Sequence, residues 1–571
     1  MIFQLVLCSA VAYFGWSIIC LELNVRKARA LNIPVVRLPV DPVNFLWIFL
    51  QGHVWRALDR LPIAWSSYPD FIRFSYRGWN FREKSRTAVR FGPVWALVTP
   101  VTFYLHFTDP DAINELFSRR SDFIRPVKNY KLLEVYGPCI STAGWDDWPR
   151  HRKVLAAPFN ESIMSFVWGE SLRQAAAMLR SWSGQNTDGI RSVQKDTRTL
   201  SLNVLAATGF RKSYDFRSSA EPVSQDEAVS YRDALQTVLD NAILIMIIPY
   251  KYLQGSLVPK NLIRVGNAAR SFKKHMIQML EDEKTALRKN KPGSGGIMGS
   301  FVRALDMHEK EVVAQPTLKG SKDGKKGLSI DEIFGNLFVI NFAGHDTTAN
   351  TLAFTMLLLA AHPEIQAWVA EELSAIEAVR TTPVDEWDYN AVFPYLKRCQ
   401  AILLETLRLY PPIMSLPKWT KERAQTIQVG DKVLVIPPGV GTSPHLLAIH
   451  THPKYWEDPF IWKPSRWVVS DSRPNPESQF CNEDLWTPPA HTYFPWSDGP
   501  QNCPGAKFSR VEAVAVLACL LKGHRLGVQK EPNEAEEAAR ERVIRCANDV
   551  NLEMLLRMRD ADRVKLVCTK A

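Results

Sequence analysis

The stretch FPWSDGPQNCPGAKFSR, from Phe494 to Arg510, carries one cysteine in a loop rich in glycine and proline. The apolar run that follows, Val511 to Leu521, predicts a helix and so places Cys503 at a helix N-terminus. Backbone N–H groups and the helix dipole favour a thiolate there, by about 0.3–1 kcal/mol from the dipole. Gly499 and Gly505 let the backbone pass close to a large flat group. The loop alone leaves two interpretations open: a soft metal ligand, or an inert buried cysteine beside a turn.

Three further motifs follow one another upstream of this loop: AGHDTT at 343–348, ETLR at 405–408 and WKPSRW at 462–467. Together with the cysteine loop, in this order, they resemble the cytochrome P-450 superfamily, and most of all its fungal microsomal members. The resemblance implies a mainly α fold with small β-sheets (α+β), preceded by an N-terminal transmembrane helix. It also implies a haem b cofactor, an iron protoporphyrin IX whose axial iron ligand is the thiolate of Cys503.

The resemblance assigns roles to residues at matching positions. Trp148 and Arg152 match the element with which the family holds one haem propionate, and Lys418 stands where many members offer an arginine to the other. Asp346 and Thr347 match the acid–alcohol pair that passes protons to dioxygen. The expected haem contacts are Cys503, Trp148, Arg152, Lys418, Trp496, Gly499, Gly505, Ala343 and Gly344.

A buried ion triad is also implied, with Glu405 and Arg408 bonding across one helical turn and Arg466 completing the set. Two positions depart from the family pattern. Many members have arginine where this chain has Gln501, which removes one charged propionate contact and gives Arg152 and Lys418 more weight. Trp496 replaces the commoner phenylalanine, and we hypothesise that its bulk shifts the reduction potential of the iron.

The N-terminal residues 2–21 carry no charge and are long enough to span a bilayer as a helix. A cleaved signal peptide is the alternative, but it requires basic residues in front of the apolar core. Here Arg26, Lys27 and Arg29 follow the span, which favours a retained anchor with the rest of the chain on the cytoplasmic side. We therefore expect a single-pass protein of the endoplasmic reticulum membrane.

The sequence predicts three regions: an anchor at 1–22, a proline-rich hinge and a second apolar segment at 23–65, and the catalytic domain at 66–571. The hinge is NIPVVRLPVDP, residues 32–42, and the segment at 44–58 is either an interfacial helix or a core helix. Charges, glycines and prolines at 289–327 predict a mobile linker inside the catalytic domain. The apolar run at 242–250 is either the end of a core helix or a segment that enters the bilayer.

Two stretches of the catalytic domain have clear local patterns. Alternating apolar residues at 94–107 predict a strand pair. Ser329 and Glu332 form a capping box at the start of a helical pattern that continues to Ala361, ahead of His362 and a proline. A polar pair within this apolar helix is costly unless it is satisfied or used, which directs attention to Asp346 and Thr347.

Composition narrows the function further. Net charge is +11 with a pI near 9.1, but no long basic run interleaved with aromatic residues occurs, so nucleic-acid binding is not expected. The basic surface is suited to an anionic membrane and to an acidic redox partner. The nine cysteines include no CxxC pair and predict no disulfide framework on the cytoplasmic side.

We expect a monooxygenase that uses dioxygen and NADPH-derived electrons to oxidise a lipophilic small molecule, in fungal secondary metabolism. Because the chain shows no flavin or nicotinamide motif, a separate flavoprotein reductase is the expected partner, with cytochrome b5 as a further candidate. The surface of this chain on which the reductase docks would include Arg150, Lys153, Lys507 and Arg510. The alternatives are a sterol, fatty-acid or xenobiotic hydroxylase, a haem-thiolate isomerase or dehydratase that needs no dioxygen, and a non-catalytic haem-binding protein.

Overall fold

The computed structural model describes residues 2–184, 189–210, 213–221, 230–289, 296–314, 327–470, 483–552 and 554–571. Helices within these ranges are α1 (Ile2–Arg29), α2 (Phe45–Leu58), α3 (Asp70–Arg73), α4 (Trp79–Glu83), α5 (Arg86–Phe91), α6 (Pro110–Ser118), α7 (Val127–Tyr130), α8 (Trp148–Ala156), α9 (Glu161–Ser183), α10 (Val193–Phe210), α11 (Tyr231–Asp240), α12 (Ala242–Ile247), α13 (Lys260–Arg288), α14 (Gly296–Ala314), α15 (Ile330–Ala361), α16 (Pro363–Ala375), α17 (Glu377–Thr381), α18 (Tyr389–Val392), α19 (Lys397–Leu409), α20 (Leu446–His450), α21 (Ala506–Leu521) and α22 (Glu536–Asn548).

The described strands are β1 (Val35–Arg37), β2 (Val94–Val98), β3 (Phe103–Phe107), β4 (Phe123–Ile124), β5 (Lys418–Thr420), β6 (Gln425–Val429), β7 (Lys432–Ile436), β8 (Gly441–Pro444), β9 (Val468–Ser470), β10 (Glu483–Leu485), β11 (His524–Val528), β12 (Val550–Leu552), β13 (Leu556–Met558) and β14 (Leu566–Lys570). Six of them form one mixed sheet in the order β1-β2-β3-β8-β5-β4. The others pair as β6 with β7, β9 with β10, β11 with β14 and β12 with β13. The fold is thus helical with small sheets, as predicted, and the strand pair expected at 94–107 is confirmed as β2 and β3.

Helix α15 runs through the centre of the helical part. It has 32 residues, or about 48 Å at the usual rise per residue. The predicted capping box is present, since the Ser329 hydroxyl accepts from the Glu332 N–H and the Glu332 carboxylate accepts from the Ser329 N–H. The helix ends at Ala361, before His362 and Pro363, because proline cannot continue the backbone hydrogen bonds. α10 packs on one side of it, and α19 and α21 pack on the other parts of its surface.

The N-terminal helix α1 is the one described helix long and apolar enough by itself to cross a membrane, with its candidate span at Leu7–Arg29. Its inner end does not separate from the domain. Val25 and Ala28 are fully buried among residues of β2 and β3, and the Asn24 side chain donates to the Thr99 carbonyl at 3.0 Å. The start of the sheet and the end of α1 therefore share one apolar core.

The segment that the sequence predicts as a hinge, 32–42, contains an edge strand of the sheet. β1 pairs in parallel with β2, and Val36 and Leu38 are buried on one face. Of the three prolines in the segment, Pro34 and Pro39 flank the strand rather than interrupt it, and a proline outside the ladder leaves the strand's hydrogen bonds intact. A hinge at 32–42 stays a prediction. The boundaries proposed for the anchor and the catalytic domain remain predictions.

The predicted mobile linker at 289–327 contains a packed helix, so the prediction is wrong over that part. α14 occupies 296–314 and buries Ile297, Met298, Phe301 and Leu305 against α13 and α10. These residues recur at helical spacing, but the charges and glycines on both sides hide the pattern in the composition. The remaining parts of the predicted linker, 290–295 and 315–326, lie outside the described residues.

Two other apolar segments expose one face each. In α2, Trp55 is buried, whereas Leu46, Phe49 and Leu50 are more than half exposed. In α12, Ile245 is buried and its neighbours Ile243 and Ile247 are exposed. Both segments therefore combine the two alternatives that the sequence left open, with one side in the core and one side available to an apolar surface.

Candidate active site

Hydrogen bonds and one special backbone conformation fix the cysteine loop. The Cys503 N–H donates to the Trp496 carbonyl at 2.9 Å, and the Asn502 N–H donates to the Gly499 carbonyl at 3.2 Å. Gly499 has a φ of +66°, and a Cβ atom there would lie 2.8 Å from the Phe117 carbonyl oxygen. Glycine is thus required both for the turn and for the close approach of the neighbouring chain.

The thiol of Cys503 lies at the start of α21, whose N-cap is Gly505, as the sequence predicts. Part of the Cys503 side chain is accessible to solvent, and protein atoms enclose the sulfur on its other sides. That burial raises the pKa of the Cys503 thiol, while the Gly505 N–H and the Arg152 guanidinium oppose the rise without cancelling it. A metal ion bonded to the sulfur would supply the positive charge that favours the thiolate.

Helix α15 has a single open strip near its middle. Of the residues from 333 to 361, all of them described, only Ala343 is exposed, and Ile340 and Thr347 beside it are partly exposed. The Thr347 hydroxyl donates to the Ala343 carbonyl at 2.8 Å, which holds the alcohol on this strip. The small side chain of Ala343 and the hydroxyl of Thr347 are therefore accessible together on one side of the helix.

Gly344, expected at the haem, has a different neighbour. A Cβ atom at this position would meet the Leu205 side chain of α10 at 3.1 Å. The side of Gly344 on which a side chain would stand is thus taken by helix packing, and Ala343 rather than Gly344 provides the open surface. His345 is buried, with its Nδ1 atom 3.1 Å from the Asn341 carbonyl oxygen.

Asp346 is buried between two arginines. Its Oδ1 atom accepts from Arg198 Nε at 3.1 Å, and its Oδ2 atom pairs with Arg557. Burial alone would raise the pKa of Asp346, but His345 and the two arginines outweigh it, so the pKa lies below the usual range. The acid is therefore ionised and held, and neither arginine is evident from the local sequence motif.

Three cations meet beside the cysteine. Arg152 donates to the carbonyl and side-chain oxygens of Asn502 at 2.8 and 2.6 Å. Lys418 donates to the Gln501 side chain at 2.6 Å, and Arg125 donates to the Gln501 carbonyl at 3.3 Å. We call Arg125, Arg152 and Lys418 the cation cluster.

No carboxylate in the described part of the chain forms an ion pair with the cation cluster. Burial lowers the pKa of each of its members, and that of Lys418 falls to about 7. Like charges this close are favourable only if anions join them. The Trp148 indole N–H adds a buried donor with no described acceptor. The site fits a haem, because a thiolate ligand stands next to cations that suit two propionates.

Arg125 is the member that sequence reasoning missed. β4 pairs antiparallel with β5, so that Ile124 faces Trp419 and the next residues along the register are Arg125 and Lys418. No local motif announces this pairing, because the two strands lie almost three hundred residues apart in the chain. Gln501 lacks the positive charge common in the resembling family, and in this fold it holds two of the three cations through its carbonyl and amide oxygens.

The structure brings the predicted triad together. Both carboxylate oxygens of Glu405 accept from Arg408 at 2.8 Å, and one also accepts from Arg466 at 3.1 Å. Trp467 Nε1 and the Lys463 N–H donate to the same carboxylate, each at 2.8 Å. Glu405 and Arg408 are fully buried, so the cluster is closed and has no room for a ligand.

One expected member of the basic docking face is placed elsewhere. Arg150 is buried between Asp147 and Glu332, with contacts of 2.8 and 2.5 Å, where it joins α8 to the start of α15. The two carboxylates neutralise its charge. The pattern of α8 could not reveal this, because Glu332 lies 182 residues away in the chain. Lys153 and Lys507 are exposed, and Lys507 pairs with an exposed glutamate of α9, Glu161.

Trp496 lies under the cysteine loop. Its indole N–H donates to the Ser509 hydroxyl at 3.0 Å, and the guanidinium of Arg510 lies 5.1 Å from its ring centroid. The same residue accepts the Cys503 N–H through its backbone carbonyl. Trp496 is therefore fixed relative to the sulfur through both its backbone and its side chain. The cysteine loop and the cation cluster beside it together define a site of the haem-thiolate class.

Comparison with known proteins agrees with that class. The family model described as Cytochrome P450 matches residues 73–546, and the chain belongs to this family. It is 27% identical to a cytochrome P450 monooxygenase of Arthrobotrys oligospora, over 96% of this chain and 95% of the relative. It is 31% identical to cytochrome P450 monooxygenase 124 of Postia placenta, over 76% and 78%, respectively. A cytochrome P450 monooxygenase of the phomenoic acid biosynthesis cluster of Leptosphaeria maculans is 27% identical, over 89% and 88%.

The chain is accordingly a haem-thiolate monooxygenase, and its cofactor is haem with a cysteine thiolate ligand. As a family member it uses dioxygen and electrons that a reductase supplies. These findings favour the monooxygenase over the isomerase and the non-catalytic haem protein that the sequence left as alternatives.

Proposed function

We propose that this protein hydroxylates, or otherwise oxidises, a lipophilic small molecule of fungal secondary metabolism. The observation that carries the proposal is the open strip of α15 beside a site that fits a thiolate-bound haem. We expect apolar side chains to line the substrate pocket at the strip: Val339 and Phe342 of α15, with the exposed Ile413 and the partly exposed Leu416 after α19. Several similar fungal monooxygenases, one named for a biosynthesis cluster, support the same assignment.

The residues at the site would divide the work as follows. Cys503 would bond to the haem iron, and the cation cluster with Trp148 would hold the propionates. The haem, when bound, supplies the oxidising chemistry that inserts one oxygen atom of dioxygen into a C–H bond. Thr347 would hold a proton at its hydroxyl on the open strip, and Asp346 would relay protons towards it from the protein surface.

Proton supply has a visible outer end. Arg198, which contacts Asp346, also pairs with Asp240 at 3.2 Å, and the Asp240 side chain is 43% exposed. Each monooxygenation requires two protons and two electrons and releases one water molecule. Arg198 keeps its own protons, so its role would be to hold the buried acid near the exposed carboxylate of Asp240, where protons enter from solvent.

The anchor and the partners complete the proposal. α1 would cross the endoplasmic reticulum membrane once, with the basic residues Arg26, Lys27 and Arg29 on the cytoplasmic side. Because the inner end of α1 is packed on the sheet, the anchor would also orient the catalytic domain on the membrane. An NADPH-dependent flavoprotein reductase would dock near Lys153, Lys507 and Arg510, and cytochrome b5 would be a second donor for the same basic surface.

The first test is the carbon monoxide difference spectrum of the reduced, detergent-solubilised protein. We expect a Soret band shifted far to the red, its loss in Cys503→Ala, and its retention in Cys8→Ala, since Cys8 is an exposed residue of the anchor helix. A band typical of histidine ligation, or a band that survives in Cys503→Ala, would overturn the assignment of Cys503.

Substrate class requires a second test. Vesicles containing the protein, a fungal reductase and NADPH would be supplied in turn with sesquiterpenes, polyketides, a sterol and a medium-chain fatty acid. We expect oxygenated product from a terpenoid or polyketide. Product from the sterol or the fatty acid alone would replace secondary metabolism with the housekeeping alternative.

A further inference from the structure

The hairpin of β12 and β13 lines part of a surface cleft and also contacts α15. The cleft is lined by the end of α11 and by α12, together with Phe342 of α15, Met554 at the hairpin tip and Arg557. Met554 is 42% exposed. Arg557 points from the same hairpin to Asp346, so one small element lines the cleft and also contacts the acid beside Thr347.

The hairpin is tied to the helices at its backbone. The Asn350 amide of α15 donates to the Leu556 carbonyl at 2.6 Å, and the Leu556 N–H donates to the Pro412 carbonyl at 2.9 Å. These bonds hold the residue next to Arg557 one helical turn beyond Asp346. The arginine is therefore delivered to the acid by a fixed backbone, and only its side chain is free to turn.

The two arginines at Asp346 differ in their other partners. Arg198, on the packed helix α10, is shared with the exposed Asp240. Arg557 has no second carboxylate partner in the part of the chain that the structure describes, and its side chain is 27% exposed on the cleft side. Loss of Arg557 would leave Asp346 with a shared arginine and the buried His345. Arg557 thus decides whether the acid is firmly held.

We propose that Arg557 is a positioning residue that holds Asp346 for proton relay and releases it when the arginine side chain turns into the cleft. The proposal rests on the proposed function, in which Asp346 supplies protons. When the Arg557 side chain turns towards the cleft, Asp346 is free to rotate towards Thr347 and to take up a proton from the side of Arg198 and Asp240. When Arg557 turns back, the carboxylate is again held and ionised.

The first measurement is infrared titration of the Asp346 carboxyl, taken as the difference between each protein and its Asp346→Asn counterpart. In Arg557→Gln, we expect the pH of half-protonation to rise by about one unit or more, the usual scale for losing an adjacent opposite charge. Arg557→Lys should restore much of the shift. Arg559→Gln is the matched control, because Arg559 lies two residues further along and pairs with Asp549 at 3.0 Å.

The second measurement is the fraction of NADPH that ends as hydrogen peroxide when the reconstituted enzyme turns over with reductase. We expect this fraction to rise several-fold in Arg557→Gln but not in Arg559→Gln, because misplaced protons divert reduced oxygen to peroxide. A carbon monoxide spectrum like that of the wild type would show that the variants retain their haem.

The outcomes separate the two levels of the argument. If Asp346→Asn leaves the peroxide fraction unchanged, the relay role in the proposed function fails. If Asp346→Asn raises it while Arg557→Gln matches Arg559→Gln in both measurements, the relay stands and the role of Arg557 is overturned. If Arg557→Gln raises the peroxide fraction further in the Asp346→Asn background, Arg557 does not act through Asp346, and the inference is again overturned.

Discussion

The two ionic clusters of the catalytic domain differ in that one contains a carboxylate and the other contains only cations. In the triad, Glu405 receives hydrogen bonds from Arg408, Arg466 and two further donors, and it has no access to solvent. In the cation cluster, three positive side chains are held only by amide and carbonyl oxygens of the cysteine loop. A satisfied cluster serves the fold, whereas an unbalanced one serves a ligand that brings the missing charge. This difference separates structural from cofactor-binding charges without knowledge of the cofactor.

The largest effect is expected at the triad. Glu405→Gln removes the charge that neutralises two buried arginines, and breaking a buried pair costs about 3–5 kcal/mol. We expect the free energy of unfolding to fall by that amount whether or not haem is present, measured by denaturant titration. Glu541→Gln, at an exposed glutamate of α22, is the control and should change it by less than about 0.5 kcal/mol. Equal stability of the two variants would mean that the triad is not a structural unit.

The cation cluster should respond in the reverse way. Arg152→Gln removes one of several like charges, so the haem-free protein should lose little stability or gain some. Haem binding should weaken about tenfold or more, because a charge-assisted bond to a propionate is lost, at roughly 1.5–3 kcal/mol. Haem transfer to apomyoglobin measures the change, and Lys153→Gln, one residue along α8 and exposed, is its control.

A loss of stability in haem-free Arg152→Gln comparable to that of Glu405→Gln would erase the contrast between the two clusters. Unchanged haem retention in Arg152→Gln would instead show that the cluster does not hold the propionates.

The same contrast shows what could be predicted from the sequence. Glu405, Arg408 and Arg466 lie in short motifs with fixed spacing, so their meeting followed from the resemblance. Arg125, Arg198 and Arg557 carry no motif, because each reaches its site through strand pairing or helix packing between distant segments. The linker prediction failed over α14 for a related reason: glycine and charge lie at the two ends of this helix, and the buried residues lie between them. Local sequence signals therefore predicted the helices, the strands and the cysteine loop. The positions of Arg125, Arg198 and Arg557 depend on tertiary pairing and could not be predicted in this way.

Lys418 allows a pH test of the unbalanced cluster. Burial, and then Arg125, lowers the pKa of Lys418 to about 7 in the folded haem-free protein, whereas an unfolded lysine has a pKa of about 10.4. Between these values the unfolded chain binds more protons, so the free energy of unfolding should rise with pH, by at most about 1.4 kcal/mol per unit. Denaturant titrations from pH 7 to pH 9 should show this rise in the haem-free wild type. Lys418→Met should remove that part of the slope.

Haem should flatten the same slope, since a propionate beside Lys418 favours the charged amine and brings its pKa back towards the unfolded value. If Lys418→Met removes part of the slope but haem leaves the wild-type slope unchanged, the propionate lies away from this lysine.

The smallest effect is expected at Trp496, which belongs to the cysteine loop and to neither ionic cluster. Trp496→Phe leaves the backbone carbonyl that accepts the Cys503 N–H but removes the indole bond to Ser509 and the larger ring beneath Arg510. Because the indole bond to Ser509 helps to fix the loop that carries the thiolate, its loss should shift the reduction potential of the iron with little change in stability or haem content. Potentiometric titration of the two proteins measures the shift, with Trp65→Phe as the control, because Trp65 packs against Trp55 and Tyr76 in a different cluster. A potential equal to that of the wild type would mean that the loop's hydrogen bonds, and not the tryptophan side chain, set the electronic environment of the sulfur.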